Sequence, residues 1–332
     1  MAVETLQPSE VIATAEGHSL PLVWRGYRRV DCRRHPTPEL IQPVQVAAEA
    51  FAPGAPARDL WLSPDHAVFL EGVLIPVKYL INGATVAQVP RDWVEYWHVE
   101  LPRHAVILAE GLAVESYLDT GNRHQFENGA PAMALHPDFR ARSWADACAP
   151  LCLEGPAVLA AREILLARIP ALGWQRVCDP DLRVTVNGRA IAPATVTHKL
   201  YRYVLPAGTA EVHIVSRSGV PAGHDLAAAD CRRLGARIGA VFLDGDYVPL
   251  DCPLLASGFH KLEQRQGELW RWTDGAARLL IPETPARTRP VTLELLVRAT
   301  MPSWQPPAHA GAPTDALRAA VASPPAVRAG GG

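Results

Sequence analysis

Four dipeptides limit what this chain can fold into: Asn82-Gly83, Asn187-Gly188, Asp244-Gly245 and Asp274-Gly275. Each lies between apolar or alternating runs. Such pairs tolerate positive φ and favour the tight turns that join antiparallel strands. Val73-Leu74-Ile75-Pro76-Val77 and Thr85-Val86-Ala87-Gln88-Val89 are expected to form a hairpin about the first of them. Arg183-Val184-Thr185-Val186 and Ala240-Val241-Phe242-Leu243 precede two others in the same way. The chain is therefore predicted to be all-β.

One stretch departs from this. Pro156 to Ile169 is rich in Ala, Leu, Arg and Glu, with Pro in the first turn. Val158, Ala161, Leu165 and Ile169 fall on one face, and Pro170 is expected to end the helix. The expected organisation is a first β-domain over 1–127, a connector with the helix over 128–173, and a β-sandwich-like domain over 174–300. The Pro-, Ala- and Gly-rich stretch 301–332 reads as a disordered tail.

A length of 332 residues and 48% hydrophobic residues supply enough apolar material for two cores. The net charge of −2 and the scattered arginines argue against a nucleic-acid partner. No apolar run is long enough to span a bilayer, and Met1 to Val11 lacks the pattern of a signal peptide, so a cytoplasmic location is the default reading. Six cysteines, at positions 32, 148, 152, 178, 231 and 252, are too few for a disulfide scaffold. Cys148 and Cys152 are spaced loosely like metal ligands, but no second pair lies near them, and neither metal nor cofactor is expected.

Ser63-Pro64-Asp65-His66 lies between Leu60-Trp61-Leu62 and Ala67-Val68-Phe69-Leu70, which places a small polar residue and a histidine at a bend between strands. Further on come Val94 to Leu101, His104, Val106 to Gly111, and Leu112 to Leu118. Here the sequence resembles the Hint domains, the β-fold of inteins and Hedgehog autoprocessing domains, over about residues 1–126. Ser63-x-x-His66 is similar to their Thr-x-x-His block, and Val94 to Ser116 resembles the closing block. Val3-Glu4-Thr5-Leu6 through Val11 echoes an opening strand, with Pro21 to Gly26 as the next.

The resemblance implies an acyl shift. A Cys or Ser at the domain's first position attacks the preceding carbonyl, and the block histidine helps the amine leave. By this resemblance the site residues are Ser63, His66, His104 and Ser116. Two departures stand out. The chain starts at Met1-Ala2-Val3, beyond the strand that would carry the nucleophile, and Cys32 follows the second strand. Glu115-Ser116 replaces the closing His-Asn, and serine has no amide for succinimide formation. Asn122 and Asn128 lack the preceding His. The expectation is a Hint domain inactive in self-cleavage within this chain.

Each of these residues also has an ordinary reading: His66 a strand-end histidine, Ser63 a turn opener, His98 and His104 solvated or interfacial, Ser116 a hydrogen-bonded strand end. Asp119, Gly121, Asn122 and Arg123 read as a turn without chemistry. Two other functions are weighed. In one, His66, His98 and His104 form the metal site of a metal-dependent hydrolase. In the other the chain is a non-catalytic protein- or glycan-binding module. In that case Trp270 and Trp272, on one face of a strand, offer a stacking platform for sugar, against the alternative that they pack in the sandwich core. His260, Glu263, Arg217, Arg232 and Arg233 could line a polar site there, but form no catalytic pattern.

Overall fold

The computed structural model describes residues 1–129, 143–282 and 289–308. The described residues are all-β apart from one α-helix and short 3-10 turns. In the first part, Val44–Val46 runs between Leu60–Leu62 and Val86–Gln88. A four-stranded sheet follows in the order Val106–Ala109, Leu112–Glu115, Ala67–Leu70, Val73–Pro76. A long two-stranded arm pairs Trp24–Asp31 with Trp93–Glu100, Gly26 opposite His98 and Arg28 opposite Tyr96. Val44, Val46, Leu62, Val68, Ile75, Val86, Leu112 and Val114 close the core between the sheets.

The turn chemistry differs from expectation at Asn82-Gly83. Val73–Pro76 pairs with Ala67–Leu70, and Val86–Gln88 pairs with Val44–Val46, so no hairpin joins them. A 3-10 turn, Val77–Leu80, carries the chain from one sheet to the other. Asn82 instead folds back on its own loop: its Oδ1 accepts the Ala84 and Val86 N–H groups at 2.9 and 3.0 Å. Asp274-Gly275 likewise crosses between sheets, since Glu268–Trp272 and Ala276–Leu280 pair with different strands. Asn187-Gly188 and Asp244-Gly245 do close hairpins. Two tight hairpins use Glu-Gly instead, Glu71-Gly72 and Glu110-Gly111, with positive φ at both residues.

Val3–Thr5 is a 3-10 turn rather than the opening strand, closed by Thr5 N–H on Ala2 O at 3.0 Å. Pro8 has no N–H to give to a ladder, and the strand begins at Val11–Ala13.

The helix spans Pro156–Ala171, two residues beyond the expected end, with Pro170 in its last turn. Gly173, at φ +81°, turns the chain out of it. Val158, Ala161 and Leu165 bury into the same core as Val68 and Ile75. The segment before the helix also docks on the first part: Leu74 N–H donates to Pro150 O, and Cys152 N–H to Leu74 O, each at 2.8 Å.

The remainder is a sandwich. One sheet runs in the order Arg189–Ile191, Arg183–Val186, Glu211–Val215, Ala276–Leu280. The other runs Thr195–Thr197, Leu200–Leu205, Val291–Thr300, Ala236–Leu243, Glu268–Trp272, Glu263–Arg265, with Asp246–Val248 also on Ala236–Leu243. Val184, Tyr203, Ile214, Ile238, Leu279 and Leu295 from both sheets meet in one core. Trp270 is buried, its Nε1–H on Glu263 Oε2 at 3.1 Å and the Arg237 guanidinium 3.8 Å over its ring. It belongs to the fold rather than to an open platform. Part of the expected tail is also ordered. Ser303–Gln305 pairs with Gln175–Val177, and Trp304 stacks on His224, because an open strand edge and an aromatic partner hold it. The rest of the expected tail, 309–332, lies outside the described residues.

Candidate functional site

The Ser63–His66 bend is fixed by backbone bonds and by the Lys78 Nζ–Asp65 Oδ1 ion pair at 2.5 Å. His66 N–H donates to Ser63 O at 3.0 Å, Val77 N–H to His66 O at 2.9 Å, and Lys78 N–H to Pro64 O at 3.1 Å. These tie the bend to the 3-10 turn and present it to a cleft of about 270 Å³. Ser63, His66, His98, Glu115 and Ser116 all line this cleft. Three of the four expected site residues are thus brought together. The fourth, His104, is not among the lining residues and lies buried behind them.

His66 is held on one side by the Glu115 backbone, while its Nε2 is sealed from solvent without a hydrogen-bond partner among the described residues. Burial pushes its pKa below the ordinary histidine value, against the upward pull of the Glu115 charge. The ring is neutral, with one nitrogen uncommitted. His98 stands 6.4 Å away, wedged edge-on between Tyr117 and Phe126. Burial, with the His66 and Arg28 charges adding, lowers it to about 3.

Ser116 reaches the cleft, but its Oγ accepts the Ala105 N–H at 3.0 Å. His104 Nε2 faces Ser116 O at 2.9 Å and Glu115 Oε2 at 3.6 Å. Its Nδ1, in the neutral ring, accepts the Cys148 N–H at 3.1 Å. Burial opposes the imidazolium, but the Cys148 and Glu115 side chains outweigh it and raise the pKa to about 9. With both nitrogens engaged, His104 offers no lone pair beside His66 and His98. The three-histidine metal reading is therefore corrected: among the described residues no group of three His, Cys, Asp or Glu is placed to hold an ion.

The turn from Asp119 to Arg123 carries more than was expected of it. Arg123 is 1% exposed, pairs with Glu100 and with Asp119 Oδ2 (3.0 Å), and lies 4.3 Å over the Trp24 ring. Asn122 Oδ1 accepts the Tyr117 O–H at 2.6 Å. These bonds set the wall of the cleft that carries Tyr117 and Phe126. Cys32 does not line the cleft; it is buried, and burial, then the Asp31 and Asp92 charges, push its thiol pKa up.

A family model for the Hint domain matches residues 1–121. Residues 1–121 are a Hint domain. No curated protein and no solved structure matches the chain. The Hint match stops at Gly121, short of Asn122, Gln125 and Phe126, which also line the cleft.

Proposed function

We propose that the Hint domain is an acyl-shift site of the autoprocessing kind, with His66 as its proton-transfer residue. The observation that carries this is the neutral His66 ring, held by the Glu115 backbone, with Nε2 uncommitted in a cleft beside Ser63. A neutral imidazole of this kind takes a proton from an attacking thiol or hydroxyl and returns it to the leaving amine nitrogen. Ser63 positions the scissile peptide; Tyr117 and Phe126 keep water from it.

The described cleft supplies no cysteine, and its Ser116 hydroxyl is occupied. Residues 1–332 by themselves are expected to leave their backbone intact. The test places a reporter peptide and a Cys-first opening strand ahead of Met1. Thiol-dependent release of the reporter, abolished by His66→Ala and retained in His98→Gln, is the expected result. Release that persists at full rate in the His66→Ala variant overturns the assignment.

A further inference from the structure

The two-stranded arm that borders the cleft alternates its side chains between two faces. Arg28 and Val30 on one strand, with Tyr96 and His98 on the other, line the cleft. Arg25 and Arg29 take the opposite face, where aromatic rings cover them. Arg25 lies 4.8 Å over Trp97 and Arg29 5.0 Å over Trp93, with Glu95 3.9 Å from Arg29. Arg28 is half-buried, and it makes no ion pair among the described residues. Its one side-chain contact, to Gln125 Oε1 at 3.4 Å, is at the outer limit of a hydrogen bond.

Other polar groups of the cleft are engaged. Tyr96 O–H donates to Ile41 O at 2.7 Å, and Tyr117 O–H to Asn122 Oδ1 at 2.6 Å. Both lining carboxylates are held as well: Asp65 pairs with Lys78 at 2.5 Å, and Glu115 accepts the Ala67 N–H at 2.8 Å and faces His104. Among the described lining residues Arg28 is the one Lys or Arg, and its charge reaches His98. Val30, Ile41, Leu118 and Phe126 add apolar surface to the same cleft. A side chain with a short apolar stem and an anionic end suits such a place.

We propose that Arg28 makes the cleft specific for a segment with an acidic residue, Glu or Asp, on the acyl side of the scissile bond. This rests on the acyl-shift reading. On the amine side the residue next to that bond is the nucleophile itself, so the side chain left to be recognised is the one on the acyl side. Its carboxylate meets the guanidinium through charge-assisted hydrogen bonds, which a neutral amide makes more weakly and an ammonium not at all. Arg28 thus selects the segment, and His66 moves the proton.

The test uses five-residue peptides with blocked ends, identical except for Glu, Gln or Lys at the centre, each followed by serine in place of the nucleophile. They are titrated into the full chain labelled with 15N, and the ring shifts of His66 and His98 report occupancy of the cleft. The Glu peptide is expected to bind about tenfold more tightly than the Gln peptide, and the Lys peptide to bind weakest. Arg28→Gln is expected to level Glu and Gln, and Arg28→Glu to turn the preference to Lys; a loss of fold would weaken all three alike. Equal affinity for Glu and Gln in the unaltered protein, or no binding of the Glu peptide, overturns the proposal. A Glu preference that survives Arg28→Gln overturns it as well. Each of these results leaves the acyl-shift reading to the reporter assay, and failure of that assay does not alter what the peptides measure.

Discussion

His98 and His104 are six residues apart, yet their surroundings pull them in opposite directions. His98, buried among rings, is lowered to about 3, and His66 is lowered too. His104, beside Cys148 and Glu115, is raised to about 9. The two shifts act on stability in different pH windows. Below the ordinary histidine value of 6.5, the unfolded chain binds protons that folded His66 and His98 refuse, so stability falls as pH falls. Above it, folded His104 keeps a proton that the unfolded chain releases, so its contribution is lost as pH rises toward about 9. Urea unfolding from about pH 5 to about pH 8 is expected to show a maximum between, with flanks on the order of 1 kcal/mol per pH unit. A flat profile contradicts the assigned burial of these rings. Ser63, His66 and Ser116 were singled out by the resemblance to the Hint blocks, and they line one cleft. Arg123 was not legible, because a turn of Asp, Gly, Asn and Arg looks solvated; only its distant partners Glu100 and Trp24 show that it is buried.

Among the elements, the strands were legible and their partners only in part: Asn187-Gly188 and Asp244-Gly245 close hairpins, and Asn82-Gly83 does not. A run such as Val73–Pro76 announces a strand by composition, but pairing is decided by the turn that follows it. Asn82 shows this. Its Oδ1 satisfies two backbone N–H groups and its Nδ2 donates to Thr85 Oγ1 at 3.0 Å, all buried. The loop therefore redirects the chain into a second sheet rather than closing a hairpin. Asn82→Ala leaves the Ala84 and Val86 N–H groups without that acceptor. It is expected to cost about 1–3 kcal/mol, read as a lower urea midpoint. An unchanged midpoint would show that the loop does not depend on the side chain. The Glu-Gly hairpins were missed because glutamate is not an expected residue at positive φ; the following glycine and the strand pairing carry it.

At the scale of the whole molecule, the boundary of the Hint match is not the boundary of its core. Val158, Ala161 and Leu165 of the helix, and Val220 and Ala222 from the sandwich half, complete the core that Val68 and Ile75 begin. Gly223 lies so close to Asn82 O that a Cβ there would meet it at 1.9 Å. The helix and the mainly β character of the chain were legible in the sequence. The docking of connector and sandwich onto the Hint core was not, because it rests on side chains far apart in sequence. No helix among the described residues is long and apolar enough to cross a membrane.

The central claim is that the cleft holds a neutral His66 with one uncommitted nitrogen. Imidazole nitrogen shifts of the 15N-labelled protein, assigned with His66→Ala, test it most directly. The account predicts that His66 titrates below the ordinary histidine range and carries its single proton on Nδ1, leaving Nε2 bare. A ring that titrates at the ordinary value, or one whose proton sits on Nε2, would contradict it.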